Sequence, residues 1–288
     1  MAQKDIHPTS EQLYNCTIRL EGYSNFQKES DNEIKSIGTG FFFDFEFEED
    51  NLRIPVIVTN FHVVKDINVL LLRFKHSKDG SPAYGRNVEI LIENLQNLVI
   101  KHPSVDLAII PLKLMPKASF TPHIQSFTER IIPGKRLMNE IKGIEEIFMI
   151  GYPFGLWDEF NNIPIIRKGT TATPYFLNYE NEKVFLIDIP VFPGSSGSPV
   201  VLFNEGSYTT RNKPGQLIAG TRIALLGINA QEISGNESSE IYKGKQKLDI
   251  KTLNKVRINI AKIIKAEELL TFRSILLKFK DEYGFPLN

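Results

Sequence analysis

An all-β fold is predicted from the sequence: two six-stranded antiparallel β-barrels followed by a C-terminal α-helix. Three observations support it. Apolar runs are either continuous over strand length or strictly alternating, turn residues punctuate them, and no helical segments alternate with them before the tail. Phe41 to Glu48 sets Phe43, Phe45 and Phe47 on one face and Asp44, Glu46 and Glu48 on the other, the period of a half-buried strand. Glu49-Asp50-Asn51 turns the chain, and Arg53 to Val58 returns as an apolar strand that delivers His62 at its end. Val69 to Phe74, Val88 to Ile92, Leu98 to Ile100 and Leu107 to Leu112 complete a first barrel within residues 1–115.

Residues 116–145, in a stretch rich in Pro, Lys and Ser, read as a connector between barrels. The second set is Glu146 to Ile150, Ile163 to Lys168, Thr170 to Tyr175, Val184 to Ile189, Ser198 to Phe203 and Arg222 to Asn229, a second barrel within 146–258. The tail, 259–288, begins as a strand at Asn259. A helix follows from about Ala266 to Glu282, with Leu269, Phe272, Leu276 and Phe279 on one face and Gly284 as its stop. That apolar face is expected to pack on the barrels.

Composition narrows the function classes. Lysine plus arginine equals aspartate plus glutamate, 34 each, so no overall field draws nucleic acid or an anionic membrane, and neither is expected as a partner. No apolar run approaches the roughly eighteen residues of a membrane span, and the N-terminus carries no apolar segment of signal-peptide length. Cys16 is the single cysteine, which leaves no intrachain disulfide and points to a reducing compartment. A cytoplasmic, unanchored protein is the expectation. His7, His76, His102 and His123 lack metal-ligand spacing and have no paired cysteines, so neither a metal nor a cofactor is expected.

The chemistry concentrates in three segments. Pro193-Gly194-Ser195-Ser196-Gly197-Ser198-Pro199 is a glycine-bracketed serine turn after a β-type run, able to expose a hydroxyl and to aim successive backbone N–H groups at a developing oxyanion. His62 ends the apolar run from Pro55, where an imidazole is rigidly held. Asp106 precedes a short buried strand, where its carboxylate can orient that imidazole. Each alone is as readily a turn or core residue. Together they stand in the order His, Asp, Ser, which differs from the orders of subtilisin and of α/β-hydrolases.

Thr59-Asn60-Phe61-His62-Val63, Val105-Asp106-Leu107-Ala108 and the serine turn resemble the three signature segments of trypsin-like serine peptidases, closest to the bacterial HtrA-like branch. Gly38-Thr39-Gly40-Phe41-Phe42, Met149 to Gly155, Asp188 eight residues before Ser196, and Leu225 to Asn229 agree with the same family. The resemblance implies a chymotrypsin-like double barrel and an acyl-enzyme mechanism: Ser196 as nucleophile, His62 as general base, Asp106 as its orienting acid, and an oxyanion hole within Gly194, Ser195 and Ser196. Ser195 and Ser198 are expected to be structural. Pro190, six residues before the nucleophile, is the expected floor of the specificity pocket and implies a small or medium apolar side chain at the cleavage site. The strand Leu226, Gly227, Ile228, Asn229 and Ala230 is expected to pair with an extended substrate.

Departures from the family pattern carry their own expectations. Ser195 stands where secreted trypsins have an Asp that pairs with a newly cleaved amine, so activation by N-terminal cleavage is not expected. Too little sequence follows the last matched strand for the PDZ domain common in HtrA-type enzymes. A serine endopeptidase acting on protein or peptide substrates is therefore expected, and a catalytically silent peptide-binding relative is the alternative. An α/β esterase is disfavoured, because the turn is not Gly-x-Ser-x-Gly. Restraint of such an enzyme could come from a regulatory protein partner, from the segment Trp157 to Asn162, or from narrow sequence preference.

Overall fold

Runs of β-branched, aliphatic and aromatic residues make strands here, and turn chemistry decides where they end. The computed structural model describes residues 10–27, 32–47, 52–115, 120–243 and 246–283, with backbone alone over 232–258 and 279–283. The N-terminal half holds a short helix, α1 (Ser10–Leu13), and strands β1 (Thr17–Tyr23), β2 (Ser36–Phe47), β3 (Leu52–Thr59), β4 (Val69–Lys78), β5 (Ser81–Ile92), β6 (Ile100–Lys101), β7 (Ala108–Pro111) and β8 (Phe127–Thr128). One helical turn, α2 (Phe61–Val64), follows β3. Asp79 (φ +52°) and Gly80 (φ +81°) form the two-residue turn that joins β4 to β5, a conformation that an Asp-Gly pair adopts readily. The expected turn at Glu49-Asp50-Asn51 and residues 116–119 of the connector lie outside the described residues, as does Gly284.

β2 is the spine of this half. It was expected to be half-buried, yet both of its faces are covered. Phe41, Phe43, Phe45 and Phe47 point into one apolar cluster with Ile54, Val56 and Val58, while Phe42 joins a second with Ile57, Leu72 and Ile110. Asp44, on that second face, is buried and paired with Arg53.

The eight strands form one sheet in the order β5-β4-β1-β2-β3-β7-β6, with β8 added parallel to β2. This path is open among the described residues, where a closed six-stranded barrel was expected. β6 is too short to bridge from β7 back to β5, because its two residues pair with β7 alone.

The C-terminal half does close. A helix, α3 (Lys135–Glu140), leads to strands β9 (Glu146–Gly151), β10 (Ile165–Thr171), β11 (Val184–Asp188) and β12 (Pro199–Asn204). A hairpin, β13 (Ser207–Thr210) and β14 (Lys213–Ala219), intervenes before the long strands β15 (Arg222–Lys243) and β16 (Gln246–Lys265). The barrel runs β10-β11-β16-β15-β12-β9. Its sixth strand is β16, from the tail that the sequence set after the barrel. The expected strand from Thr170 to Tyr175 is absent: only Thr170 and Thr171 extend β10, and the chain then turns at Pro174.

Ile147, Met149, Phe185, Ile187, Val200, Leu202, Leu226 and Ile263 fill the barrel. The tail continues as a 3-10 turn over Ala266–Thr271 and a helix, α4 (Phe272–Tyr283). Leu269, Phe272 and Leu276 are fully buried in the cluster that joins both halves, as the helical spacing predicted. Each such buried side chain contributes about 1.5–3 kcal/mol.

Candidate active site

Register brings the imidazole and the carboxylate together. β3 and β7 are antiparallel neighbours with Thr59 opposite Ala108, so the chain leaving β3 meets the chain entering β7. His62 sits one helical turn beyond β3, on α2, rather than at the end of the strand itself. Its backbone N–H donates to Asp106 Oδ1 at 2.9 Å, and its Nδ1 lies 2.5 Å from Asp106 Oδ2. A carboxylate accepts, so Nδ1 carries a proton, and in the neutral tautomer this leaves Nε2 as the basic nitrogen. Asn60, two residues before His62, donates from Nδ2 to the Asp106 carbonyl at 2.8 Å and ties the two segments a third time. Burial raises the Asp106 carboxyl, the hydrogen bonds from His62 lower it further, and its pKa lies below the ordinary carboxylate value.

The serine turn links β11 to β12 and is strapped from several sides. Thr39 donates from Oγ1 to the Gly194 carbonyl at 2.9 Å, and its backbone N–H donates to the Ser196 carbonyl at 2.9 Å. Ser198 Oγ and the Tyr152 N–H both donate to Thr39 Oγ1. Asn229 donates from Nδ2 to the Ser195 carbonyl at 2.9 Å, and its own carbonyl accepts the Gly197 N–H at 3.0 Å. Gly194 (φ +88°) and Gly197 (φ +84°) hold left-handed conformations, and a Cβ on Gly197 would lie 2.1 Å from the Thr39 carbonyl oxygen.

Peptide planarity sets the N–H directions. The Pro193 carbonyl accepts from the Phe154 N–H and the Ser195 carbonyl from Asn229, so the Gly194 and Ser196 N–H groups point the opposite way. Among the described residues neither N–H has an acceptor, whereas the Ser195 N–H donates to the Phe192 carbonyl at 2.9 Å. Of the three residues expected to form an oxyanion hole, Ser195 therefore has its amide occupied. Ser195 and Ser198 are fully buried and hydrogen-bonded, as structural residues should be, while Ser196 is half-buried.

His62, Asp106 and Ser196 line one cleft of about 1000 Å³, together with Val105, Ala230 and Gln231. The expected substrate strand needs a correction. Leu226 and Ile228 are fully buried, and Gly227 and Ile228 pair with β12 on one side and β16 on the other, so no edge is left for a peptide. The strand frees its outer edge only after β12 is left behind, from Ala230 and Gln231 onward. Pro190 is exposed and does not line this cleft, and its carbonyl accepts from Arg167.

His102 does not compete for Asp106. Its Nδ1 accepts the N–H groups of Ser104 and Val105, and its Nε2 faces Glu268 at 3.6 Å. The segment 157–162 is anchored on the N-terminal sheet, with Trp157 under the Arg19 guanidinium at 4.1 Å and Asn162 donating to the Arg73 carbonyl at 2.8 Å. No three His, Cys, Asp or Glu side chains gather in a metal-binding group among the described residues, and no described helix is long and apolar enough to cross a membrane. Thr39, Asn60 and Asn229 carry more of the site than their sequence context suggested; Asn60 could have been found as a polar residue two positions before His62, whereas Thr39 and Asn229 reach the serine turn only through the fold.

Comparison with curated proteins finds no match. The family description of the trypsin-like peptidase domain matches residues 38–208, more than half of the chain. The matched stretch holds the imidazole, the carboxylate and the whole serine turn, and the chain belongs to the trypsin-like peptidase domain family.

Proposed function

We propose that this protein is a serine endopeptidase that cleaves peptide bonds through an acyl-enzyme intermediate. Ser196 Oγ attacks the carbonyl carbon while its proton passes to His62 Nε2; the C–N bond then breaks as His62 gives that proton to the leaving amine. Water, deprotonated by the same nitrogen, releases the acid and restores the hydroxyl. Asp106 keeps the ring in the required tautomer and stabilises the transient imidazolium. The Gly194 and Ser196 N–H groups receive the oxyanion, and such a donor is worth on the order of 3 kcal/mol in the transition state.

The observation that carries this reading is the common cleft, which His62, Asp106 and Ser196 all line, with His62 Nδ1 2.5 Å from Asp106 Oδ2. Substrate lies extended along the free edge that starts at Ala230 and Gln231, where backbone groups supply affinity without reading sequence. The serine turn and the strand leading to Asn229 favour an HtrA-like enzyme, and the lone Cys16 favours a reducing, cytoplasmic setting.

A fluorophosphonate probe tests the reading. Wild-type protein is expected to carry the adduct on Ser196 by peptide mapping, and Ser196→Ala to carry none. Folded wild-type protein that stays unlabelled would make the chain a silent relative that binds peptides in the same cleft.

A further inference from the structure

We propose that Arg167 is a positioning residue for the nucleophile turn: its guanidinium clamps residues 190–195 in the shape that keeps the Gly194 and Ser196 N–H groups directed at the reacting oxygen. The inference rests on the peptidase reading of that turn. Arg167 stands on β10, opposite Met149 of β9. Its Nη2 donates to Ser195 Oγ at 2.8 Å and its Nη1 to the Pro190 carbonyl oxygen. These two acceptors bracket the segment that precedes the nucleophile. A guanidinium is a rigid planar fork, so holding both acceptors fixes their separation in a way that two independent donors would not.

The surroundings argue that this arginine is more than packing. It is half-buried, with the Phe192 ring 5.7 Å from its Cζ. No carboxylate among the described residues answers its charge, and burial lowers its pKa only to about 10, which leaves it a cation at neutral pH. Setting a cation in the wall of the turn without a counter-ion is unfavourable where an apolar side chain would fill the same space. Its hydrogen bonds to the turn are what such a placement supplies. Thr39 and Asn229 hold the turn from other sides through the Gly194 and Ser195 carbonyls; Arg167 holds the Ser195 side chain and the entry at Pro190.

The test uses the full chain and four variants: Arg167→Met, Arg167→Lys, Ser195→Ala, and Arg167→Met combined with Ser195→Ala. Fluorophosphonate labelling of Ser196 is expected to slow by about tenfold to a hundredfold in Arg167→Met, the range for losing charge-assisted hydrogen bonds, and to recover in part in Arg167→Lys. Because the arginine acts through the Ser195 hydroxyl, the double variant is expected to be no slower than Arg167→Met. Backbone hydrogen exchange over 190–198 is expected to quicken in Arg167→Met while the barrel strands keep their protection. If Arg167→Met loses its cooperative thermal transition, Arg167→Lys and Ser195→Ala carry the same readings. A folded Arg167→Met labelled at the wild-type rate, multiplicative effects in the double variant, or unchanged exchange over 190–198 would each overturn the proposal. The exchange measurement needs no reactivity, so it separates failure of the clamp from failure of the peptidase reading.

Discussion

Asp106→Asn is the most discriminating single change, because it preserves shape and removes one acceptor. In the wild type the two carboxylate oxygens take two donors, the His62 backbone N–H at 2.9 Å and the His62 Nδ1–H at 2.5 Å. An amide offers one oxygen and one NH2 group. If the oxygen stays on the backbone N–H, the amide nitrogen faces Nδ1, which must then become the acceptor, and the ring proton moves to Nε2. Nε2 can no longer take the Ser196 proton. If the amide turns over, its NH2 group meets the His62 N–H, and two donors oppose each other.

The first arrangement avoids that conflict, so the tautomer inverts. In peptidases built on this constellation the same inversion lowers kcat roughly 10⁴-fold, or about 5 kcal/mol of transition-state stabilisation. Stability should change much less, since the Asp106 side chain is 39% exposed and water can satisfy the displaced groups. The assay is the second-order rate of fluorophosphonate labelling near neutral pH, with a thermal melt as the control for folding. A folded Asp106→Asn labelled within about tenfold of wild type would refute the tautomer argument.

Other predictions concern the supports of the site. Gly197→Ala should lower stability by more than Gly206→Ala in a urea titration: both glycines have φ near +85°, but a Cβ at 197 meets the Thr39 carbonyl at 2.1 Å and one at 206 meets nothing within 4 Å. The strain shared by both is about 1–3 kcal/mol, and equal losses would contradict the close approach. Lys75 is buried, its Nζ donates to the Tyr14 carbonyl at 2.9 Å, and burial lowers its pKa from 10.5 to about 8. The unfolded chain then binds the extra proton between about pH 8 and pH 10.5, so the contribution of Lys75 to stability, read as the difference between wild type and Lys75→Met, should rise with pH across that window and be flat below it. Burial also pushes the Cys16 thiol well above its ordinary pKa, so iodoacetamide should modify the protein only after denaturation; alkylation of the native fold would contradict that burial.

Local pattern and tertiary context divided the legibility of this chain. The hairpin of β2 and β3 could be read because Phe43, Phe45 and Phe47 alternate with acidic residues and a continuous apolar run follows. That alternation could not reveal that Phe42 and Asp44 are covered too, since a second cluster around Ile57 and Leu72 comes from strands distant in sequence. β1 carries Arg19 and Glu21, both buried and paired with each other, and such charges hide a strand from a hydrophobicity reading. The segment from Asn259 reads as a strand of the tail because six strands, Thr170 to Tyr175 among them, already fill the barrel in sequence; backbone pairing with β11 and β15 makes β16 the sixth strand instead.

At the site, His62, Asp106 and Ser196 were legible as motifs, since each segment combines a reactive side chain with a distinctive backbone context. The open edge of β15 begins a few residues later than expected because β12 ends its pairing with β15 at Ile228, a boundary set by the partner strand rather than by β15 itself. Arg167 lay in an expected strand with nothing to mark it. Its meaning comes from Pro190 and Ser195, more than twenty residues away.

The central claim is that the Ser196 hydroxyl opens peptide bonds. Casein incubated with purified protein, followed by mass spectrometry of newly formed N-termini, tests it most directly. The account predicts new termini with wild type that are absent with Ser196→Ala and with His62→Ala. The same termini appearing with Ser196→Ala would contradict it, because the cut would then not depend on that oxygen.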